Sequence, residues 1–286
     1  MLPEQFCVRM KEMLGEEYAA FYASYDLPKY QALRINPLKT ERDTFLLQAP
    51  FSLNRVPWTT NGYYYSGNDQ PGRHPYHEAG VYYIQEPSAM APAEYLMAEP
   101  GERILDLCAA PGGKSTQIAC SMQGEGLIVC NEIHPARAKI LSENIERMGV
   151  CNALVTNETP QKLSDNFREY FDRILVDAPC SGEGMFRKNE DACDEWSPEN
   201  VENCAARQAE ILDCAAEMLK PGGRLVYSTC TFAPAENEGS ISRFLERHPE
   251  FELLPAEKKD GMMPGVPAWT DHPAEGLEHT IRLWPH

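Results

Sequence analysis

The apolar positions of the chain change period along its length. From Glu4 to Ala23 they fall at helical spacing, with Phe6, Met10, Met13, Leu14 and Phe21 marking the apolar side, and predict a helix. A-L-R-I-N-P-L-K-T (32–40) predicts a short strand ended by Pro37. Residues 44–85 mix turn residues with aromatic clusters at Tyr63, Tyr64, Tyr65, Tyr82 and Tyr83, and read as part of a small α/β domain. From residue 101 short apolar runs alternate with helical patterns. R-I-L-D-L (103–107), G-L-I-V-C-N (126–131), N-A-L-V-T (152–156), F-D-R-I-L-V-D (171–177) and R-L-V-Y-S-T (224–229) predict strands. Helices are predicted from Lys114 to Met122, from His134-Pro135 to about Met148 with Gly149 at its end, from Ser197-Pro198 to a stop at P-G-G (221–223), and over 234–247. F-E-L-L (251–254) and H-T-I-R-L-W (279–284) predict the last strands.

This alternation predicts an α/β fold with a doubly wound, mainly parallel sheet. The expected organisation is a small N-terminal domain and linker over 1–98, followed by the sheet domain over 99–286. Ligands of such sheets bind outside the carboxyl ends of the strands. That rule directs attention to Asp106–Lys114, Glu132, Asn157, Asp177–Cys180 and Ser228–Thr231.

Composition narrows the functional classes. With 286 residues and 43% hydrophobic content the chain can bury a normal core. Its formal charge of -17 argues against a protein that coats nucleic acid through bulk charge, so any basic track must be local. Ten cysteines without a C-x-x-C pair argue against a zinc ribbon, and no metal is expected. No apolar signal segment or run of ~18–20 apolar residues is present, and many thiols fit a reduced, cytoplasmic setting with no membrane partner.

D-L-C-A-A-P-G-G-K-S (106–115) follows the first strand of the sheet. Gly112 and Gly113 permit a tight turn and a close backbone approach to a ligand, and the helix start beyond them favours an anionic group. Glu132, twenty residues after Gly112, can accept hydrogen bonds from a ribose. A dinucleotide loop would read G-x-G-x-x-G and a Walker loop G-x-x-x-x-G-K-[ST]; neither matches. S-adenosylmethionine, with a carboxylate in place of phosphates, is the better match. The bland alternative is a generic strand–turn–helix corner.

V-D-A-P-C-S-G-E-G (176–184) and S-T-C-T (228–231) follow two further strands, so Cys180 and Cys230 are expected beside Asp177 at neighbouring strand ends. A lone cysteine at a strand end is usually core; two are harder to dismiss. The residue types suit carbon-5 methylation of cytosine. A thiolate adding to carbon 6 makes carbon 5 nucleophilic, an acid protonates ring nitrogen 3, and a base later removes the carbon-5 hydrogen. Cys230, Asp177 and Cys180 can fill these roles.

Residues 78–284 resemble the Sun-type RNA 5-methylcytosine methyltransferases, the RsmB/RsmF group. The strings that carry the resemblance are Q-E-P-S-A-M (85–90), D-L-C-A-A-P-G-G-K-S, N-E (131–132), V-D-A-P-C-S-G-E-G-M-F-R-K, W-S-P-E, L-K-P-G-G-R-L-V-Y-S-T-C-T and E-N-E (236–238). The N-terminal stretch resembles this group's small RNA-recognition-like domain. The resemblance implies a Rossmann-like, class I S-adenosylmethionine-dependent methyltransferase. Cys108, Ala109, Ala110, Pro111, Gly112, Gly113 and Lys114 would line the methionine end of the cofactor, Glu132 would hold the ribose, and Asp177 would lie between cofactor and base. Cys230 would be the nucleophile and Cys180 would assist release. Asn157 stands where the family commonly has an aspartate near the adenine, and its amide oxygen is the substitute. The family's catalytic domain usually continues past R-L-W-P-H, so the last strand reads as cut short.

Ribosomal RNA is the expected substrate, ahead of transfer RNA, with a monomer expected. Lys29, Arg34, Lys39, Arg42 and Arg187-Lys188 are the candidate RNA contacts, and Tyr63–Tyr65 are either base-stacking groups or core. An amine methyltransferase is the runner-up enzyme, but its [DN]-P-P-[YFW] string is replaced here by D-A-P-C. A non-catalytic RNA-binding assembly factor is the alternative outside enzymes.

Overall fold

A computed structural model describes residues 2–189 and 191–286. Packing divides the chain into two compact units. The first comprises Met1–Lys29, Ala178–Asp213 and Ser228–His286, the second Tyr30–Asp177 and Cys214–Tyr227.

The second unit opens with a four-stranded antiparallel sheet. Its strands are β1 (Ala32–Ile35), β2 (Leu53–Arg55), β3 (Gly62–Tyr65) and β4 (Tyr82–Ile84), in spatial order β2-β3-β1-β4. Helices Arg42–Gln48 and Pro75–Glu78 fall between β1 and β2 and between β3 and β4, giving the β-α-β-β-α-β order of an RNA-recognition-like module. Leu33, Ile35, Phe45, Tyr63 and Tyr82 form its core. Tyr64 packs against a second small cluster of Ala32, Val56 and Met90.

Arg34 departs from the expected role. It is 1% exposed, and its guanidinium donates to Gln85 Oε1 (3.0 Å), Thr116 Oγ1 (2.8 Å) and the Gly113 carbonyl (3.1 Å). A rigid fork of donors with fixed acceptors makes an inter-element tie, and an Arg so placed is not available to a phosphate. Lys39 is also committed: its ammonium donates to the carbonyls of Ala79 and Arg147, both at 2.7 Å. Arg147 lies in the last turn of a helix, where a cation suits the exposed carbonyls. Arg42 is exposed and pairs with Asp43.

The larger sheet contains β5 (Arg103–Asp106), β6 (Leu127–Asn131), β7 (Ala153–Thr156), β8 (Phe171–Asp177) and β9 (Leu219–Ser228), in order β7-β6-β5-β8-β9. The β5–β6, β5–β8 and β6–β7 pairs are parallel. Helices Gly113–Met122 and Pro135–Met148 follow β5 and β6, and Gly149 ends the second in a left-handed conformation (φ 75°). Ile104, Ile118, Ala119, Met122, Ile128 and Leu141 are all buried in the core beneath them.

P-G-G (221–223) was expected to stop a helix. The helix Pro198–Met218 ends earlier, and these residues lie inside β9. Because β9 is an edge strand of this sheet, a proline there forfeits no ladder bond that a neighbour needs. Ser197 caps the start of that helix as expected, its hydroxyl accepting from the Asn200 amide at 3.0 Å.

In the first unit, the single helix expected over 4–23 is broken. Glu4–Leu14 and Tyr18–Ala23 are separated by a 3₁₀ turn that starts at Gly15, a residue with φ 54°. Phe6, Met10, Phe21, Phe186, Trp196 and Val201 form the local core. Helix Glu238–Arg247 precedes an antiparallel pair, β10 (Met262–Pro264) with β11 (Ile281–Leu283). The expected terminal strand is therefore present at 281–283, but 251–254 is not a strand; Met262–Pro264 takes the pairing position instead.

Candidate functional site

In the second unit, Asp106 ends β5 and the chain turns through 107–112 into helix Gly113–Met122. Gly112 has φ 107°, a conformation side-chained residues rarely adopt, and a Cβ there would lie 3.1 Å from Leu141 Cδ1. Arg137 and Asn144, on the helix after β6, donate to the carbonyls of Ala110 (2.9 Å) and Pro111 (2.8 Å) and fix the loop from outside. The loop borders a cavity of about 220 Å³. Its lining includes Cys108–Pro111, Gly113, Lys114, Asp106 and Asp177, faced by Tyr83, Gln85 and Glu86 from the small sheet's end.

Three ionisable groups characterise this cavity. Lys114 Nζ and Asp177 Oδ2 are 2.7 Å apart. Asp106 is fully buried; its Oδ2 accepts from Ser115 Oγ at 2.7 Å, while Oδ1 has no hydrogen-bond partner. Burial pushes the Asp106 carboxyl up to about 7, against the opposing pull of the Ser115 hydroxyl and a weaker one from the Cys108 amide. A buried acceptor without a donor is costly, and this one belongs to a residue that lines the cavity.

In the first unit, Cys180 and Cys230 meet with their sulfurs 3.2 Å apart. Cys180 is half-buried and Cys230 exposed. The hydrogen bond to Cys230 holds the Cys180 thiol well above its ordinary value, reinforced by burial and by the charges of Cys230 and Glu236. Either sulfur can be the donor of that contact. Gly184 donates its backbone N–H to the Cys230 carbonyl at 2.7 Å, and a Cβ at Gly184 would sit 2.6 Å from that oxygen. The second glycine of S-G-E-G is therefore required by close approach. Lys188 lies in the field of Cys230, which favours its charged form, while burial and Lys29 disfavour it. Arg187 instead donates to the Leu27 carbonyl at 3.3 Å.

The model of the 16S rRNA methyltransferase RsmB/F family matches residues 93–286, and the model of the N-terminal domain of 16S rRNA methyltransferase RsmF matches 2–87. The chain belongs to the RsmB/F family. It is 38% identical to the ribosomal RNA small subunit methyltransferase F of Erwinia tasmaniensis over 99% of this chain and 60% of that protein. It is 40% identical to the protein of the same name from Cronobacter sakazakii over 93% of this chain and 58% of that protein. The chain thus spans about 60% of the length of these curated relatives. A crystal structure of a methyltransferase homologue from Pyrococcus horikoshii superposes with a TM-score of 0.87 at 30% identity, covering 99% of this chain and 90% of that one.

Within this RsmB/F chain the expected site residues are placed unevenly. Cys108, Ala109, Ala110, Pro111, Gly113, Lys114 and Asp177 border the cavity, and Gly112 shapes the turn behind it. Glu132 does not line the cavity. Its carboxylate accepts from the His134 amide (3.0 Å) and lies 3.2 Å from Arg137 Nη1. Asn157 also lies outside, its amide donating to the Glu132 carbonyl (2.6 Å) and the Ile133 carbonyl (2.9 Å). Two features escaped sequence reasoning. Asp106 was covered only by the strand-end rule. The Tyr83–Glu86 wall comes from a distant segment, of which only Q-E-P-S-A-M gave a sign. Among the described residues, no helix is long and apolar enough to cross a membrane, and no group of three or more His, Cys, Asp or Glu could hold a metal ion.

Proposed function

We propose that this chain catalyses S-adenosylmethionine-dependent methylation of carbon 5 of a cytosine in ribosomal RNA, through a covalent adduct with Cys230. The observation that carries the reading is the Cys180–Cys230 contact, with the two sulfurs 3.2 Å apart. The two thiols differ in exposure, Cys180 being half-buried and Cys230 exposed. Cys230, the more accessible, is the sulfur that adds to cytosine carbon 6.

The cavity fits the cofactor on its own chemistry. The unpaired Asp106 Oδ1 calls for a donor such as an amino-acid ammonium, and the cradle beside it approaches through backbone rather than side chains. When bound, the cofactor supplies an electrophilic methyl group on a sulfonium. Asp106 and the loop 108–114 would hold its amino-acid end, and Glu132 would reach its ribose only by exchanging its contact with Arg137.

The chain's residues then act in sequence. The Cys230 sulfur bonds to carbon 6, and the electrons displaced toward ring nitrogen 3 are met there by a proton that Asp177 takes up from solvent and passes on, giving up its contact with Lys114 as it does so. Carbon 5, now enamine-like, takes the methyl group. Once bonded to carbon 6, Cys230 is a neutral thioether, and it no longer holds the Cys180 thiol high. Cys180 releases its proton to water, and its thiolate then removes the carbon-5 hydrogen as the carbon–sulfur bond breaks, Cys230 leaves as thiolate and ring nitrogen 3 gives its proton back.

Residues 1–98 form the RNA-recognition-like part with its linker and 99–286 the catalytic part. RNA contact falls to Lys29, Lys188 and Arg42, since Arg34 and Lys39 are committed elsewhere. The test is a pair of variants. Cys230→Ala abolishes methyl transfer to ribosomal RNA while retaining cofactor binding, and Cys180→Ala accumulates a protein–RNA adduct that survives denaturing electrophoresis. Normal turnover by Cys230→Ala would end the reading.

A further inference from the structure

E-N-E (236–238) stood among the strings of the sequence without a chemical role, and the structure gives two of its residues one. Glu236 is fully buried. Its Oε2 accepts from the Ser181 amide (3.0 Å) and from Gln208 Nε2 (2.8 Å), and its Oε1 accepts from Ser181 Oγ (2.5 Å). Gln208 donates as well to the Pro179 carbonyl at 3.0 Å. The carboxylate thus grips the residue after Cys180 directly and the residue before it through Gln208.

Asn237 does the same for the other sulfur. Its Oδ1 accepts from Thr229 Oγ1 at 2.7 Å, and its amide donates to the Thr231 carbonyl at 3.1 Å. These residues flank Cys230. A hydroxyl pair, Ser181 Oγ and Thr231 Oγ1 at 2.9 Å, joins the two gripped segments directly.

We infer that Glu236 and Asn237 are positioning residues, adjacent in the chain, each fixing the segment that carries one thiol and together setting the approach of Cys180 to Cys230. The inference rests on the two-thiol reading above for its functional meaning. Its geometry does not depend on turnover. Because the single Ser181 hydroxyl proton goes to Glu236, the Thr231 hydroxyl is the donor in the hydroxyl pair, and each group of the network is then satisfied. Removing either grip leaves a thiol on an untethered turn, and thiols that drift by an ångström no longer exchange a proton.

The experiment reads proximity rather than methylation. Dibromobimane bridges two neighbouring thiols, each thiolate displacing one bromide, and peptide mass spectrometry identifies the Cys180–Cys230 bridge. The wild-type chain should give that bridge in high yield. Glu236→Ala and Asn237→Ala should each lower the yield about tenfold or more while the melting curve stays cooperative. Glu236→Gln should restore it. Its carbonyl can take the Oε2 bonds, its amide can donate to Ser181 Oγ, and that hydroxyl, released from donating to Glu236, can turn its proton to Thr231 Oγ1. Wild-type yield in folded Glu236→Ala and Asn237→Ala would overturn the inference. So would a Glu236→Gln yield as low as that of Glu236→Ala, since charge rather than grip would then set the contact.

Should the alanine variants not fold, Ser181→Ala and Thr229→Val remove one hydroxyl each. Both should reduce bridging several-fold, and unchanged yields in both would overturn it equally. If Cys230→Ala methylates normally but the bridging results hold, the proposed chemistry fails and the positioning does not.

Discussion

The two units treat buried carboxylates in opposite ways. In the first unit Glu183, Glu236 and Glu238 are each supplied with donors at both oxygens. Glu183 accepts from Arg9 (2.5 Å), Trp196 Nε1 (2.9 Å) and the Phe232 amide (3.0 Å). Glu238 accepts from Arg282 through two nitrogens and from the Val266 amide at 3.2 Å. In the second unit Asp106, equally buried, has one oxygen with no partner and lines a cavity. Water-free carboxylates with complete donor sets hold a fold together. One left a donor short is tolerated because something else completes it. The difference separates acids that build the thiol-bearing unit from an acid left open beside a cavity.

The largest expected effect tests the saturated side. Glu238→Ala strips the carboxylate from Arg282, a residue 8% exposed that also stacks over Trp269 and Trp284 and donates to the Phe232 carbonyl. The guanidinium would then be buried with its main countercharge gone. A loss of about 3–5 kcal/mol is expected, read as a drop in the urea midpoint with an unchanged slope. A loss below about 1 kcal/mol would place Glu238 with exposed ion pairs and erase the contrast between the units.

That contrast also explains what could be read from the sequence. The cavity was legible because one continuous string, Asp106 to Ser115, builds one wall of it at a strand end. The two thiols were legible because each follows a strand. Their grips were not, since Glu236 and Asn237 act on residues about 55 and 8 positions away through side-chain bonds that leave no period in the sequence. Arg34 misled for a related reason. In A-L-R-I-N a charged residue alternates with apolar ones, the mark of an exposed sheet face, but that face is covered by helix Gly113–Met122. The course of β9 through P-G-G shows the same limit, because a local stop signal yields where strand pairing continues, whereas at Gly15 the apolar period hid a stop that the chain obeys.

A smaller effect, of opposite sign, tests the unsaturated side. The Asp106 carboxyl has an ordinary value of 3.8 and is pushed up to about 7 in the fold by burial. Between these values the unfolded chain has released a proton that the folded chain still holds. Unfolding stability therefore falls as pH rises from about 4 to about 7 and levels off above. Asp106→Asn removes that titration. Its carbonyl oxygen can keep the Ser115 bond, and its amide occupies the Oδ1 position. The ligand-free variant should gain about 1–3 kcal/mol over wild type at pH 8, the relief of a buried charge less the cost of an unpaired amide. The gain should shrink as pH is lowered toward 5. The same amide faces an incoming ammonium with a donor instead of an acceptor, so titration calorimetry should show S-adenosylmethionine binding weakened about 10- to 100-fold. A variant with wild-type affinity, or with the wild-type slope of stability against pH, would mean that the open oxygen of Asp106 is a feature of packing and not of ligand recognition.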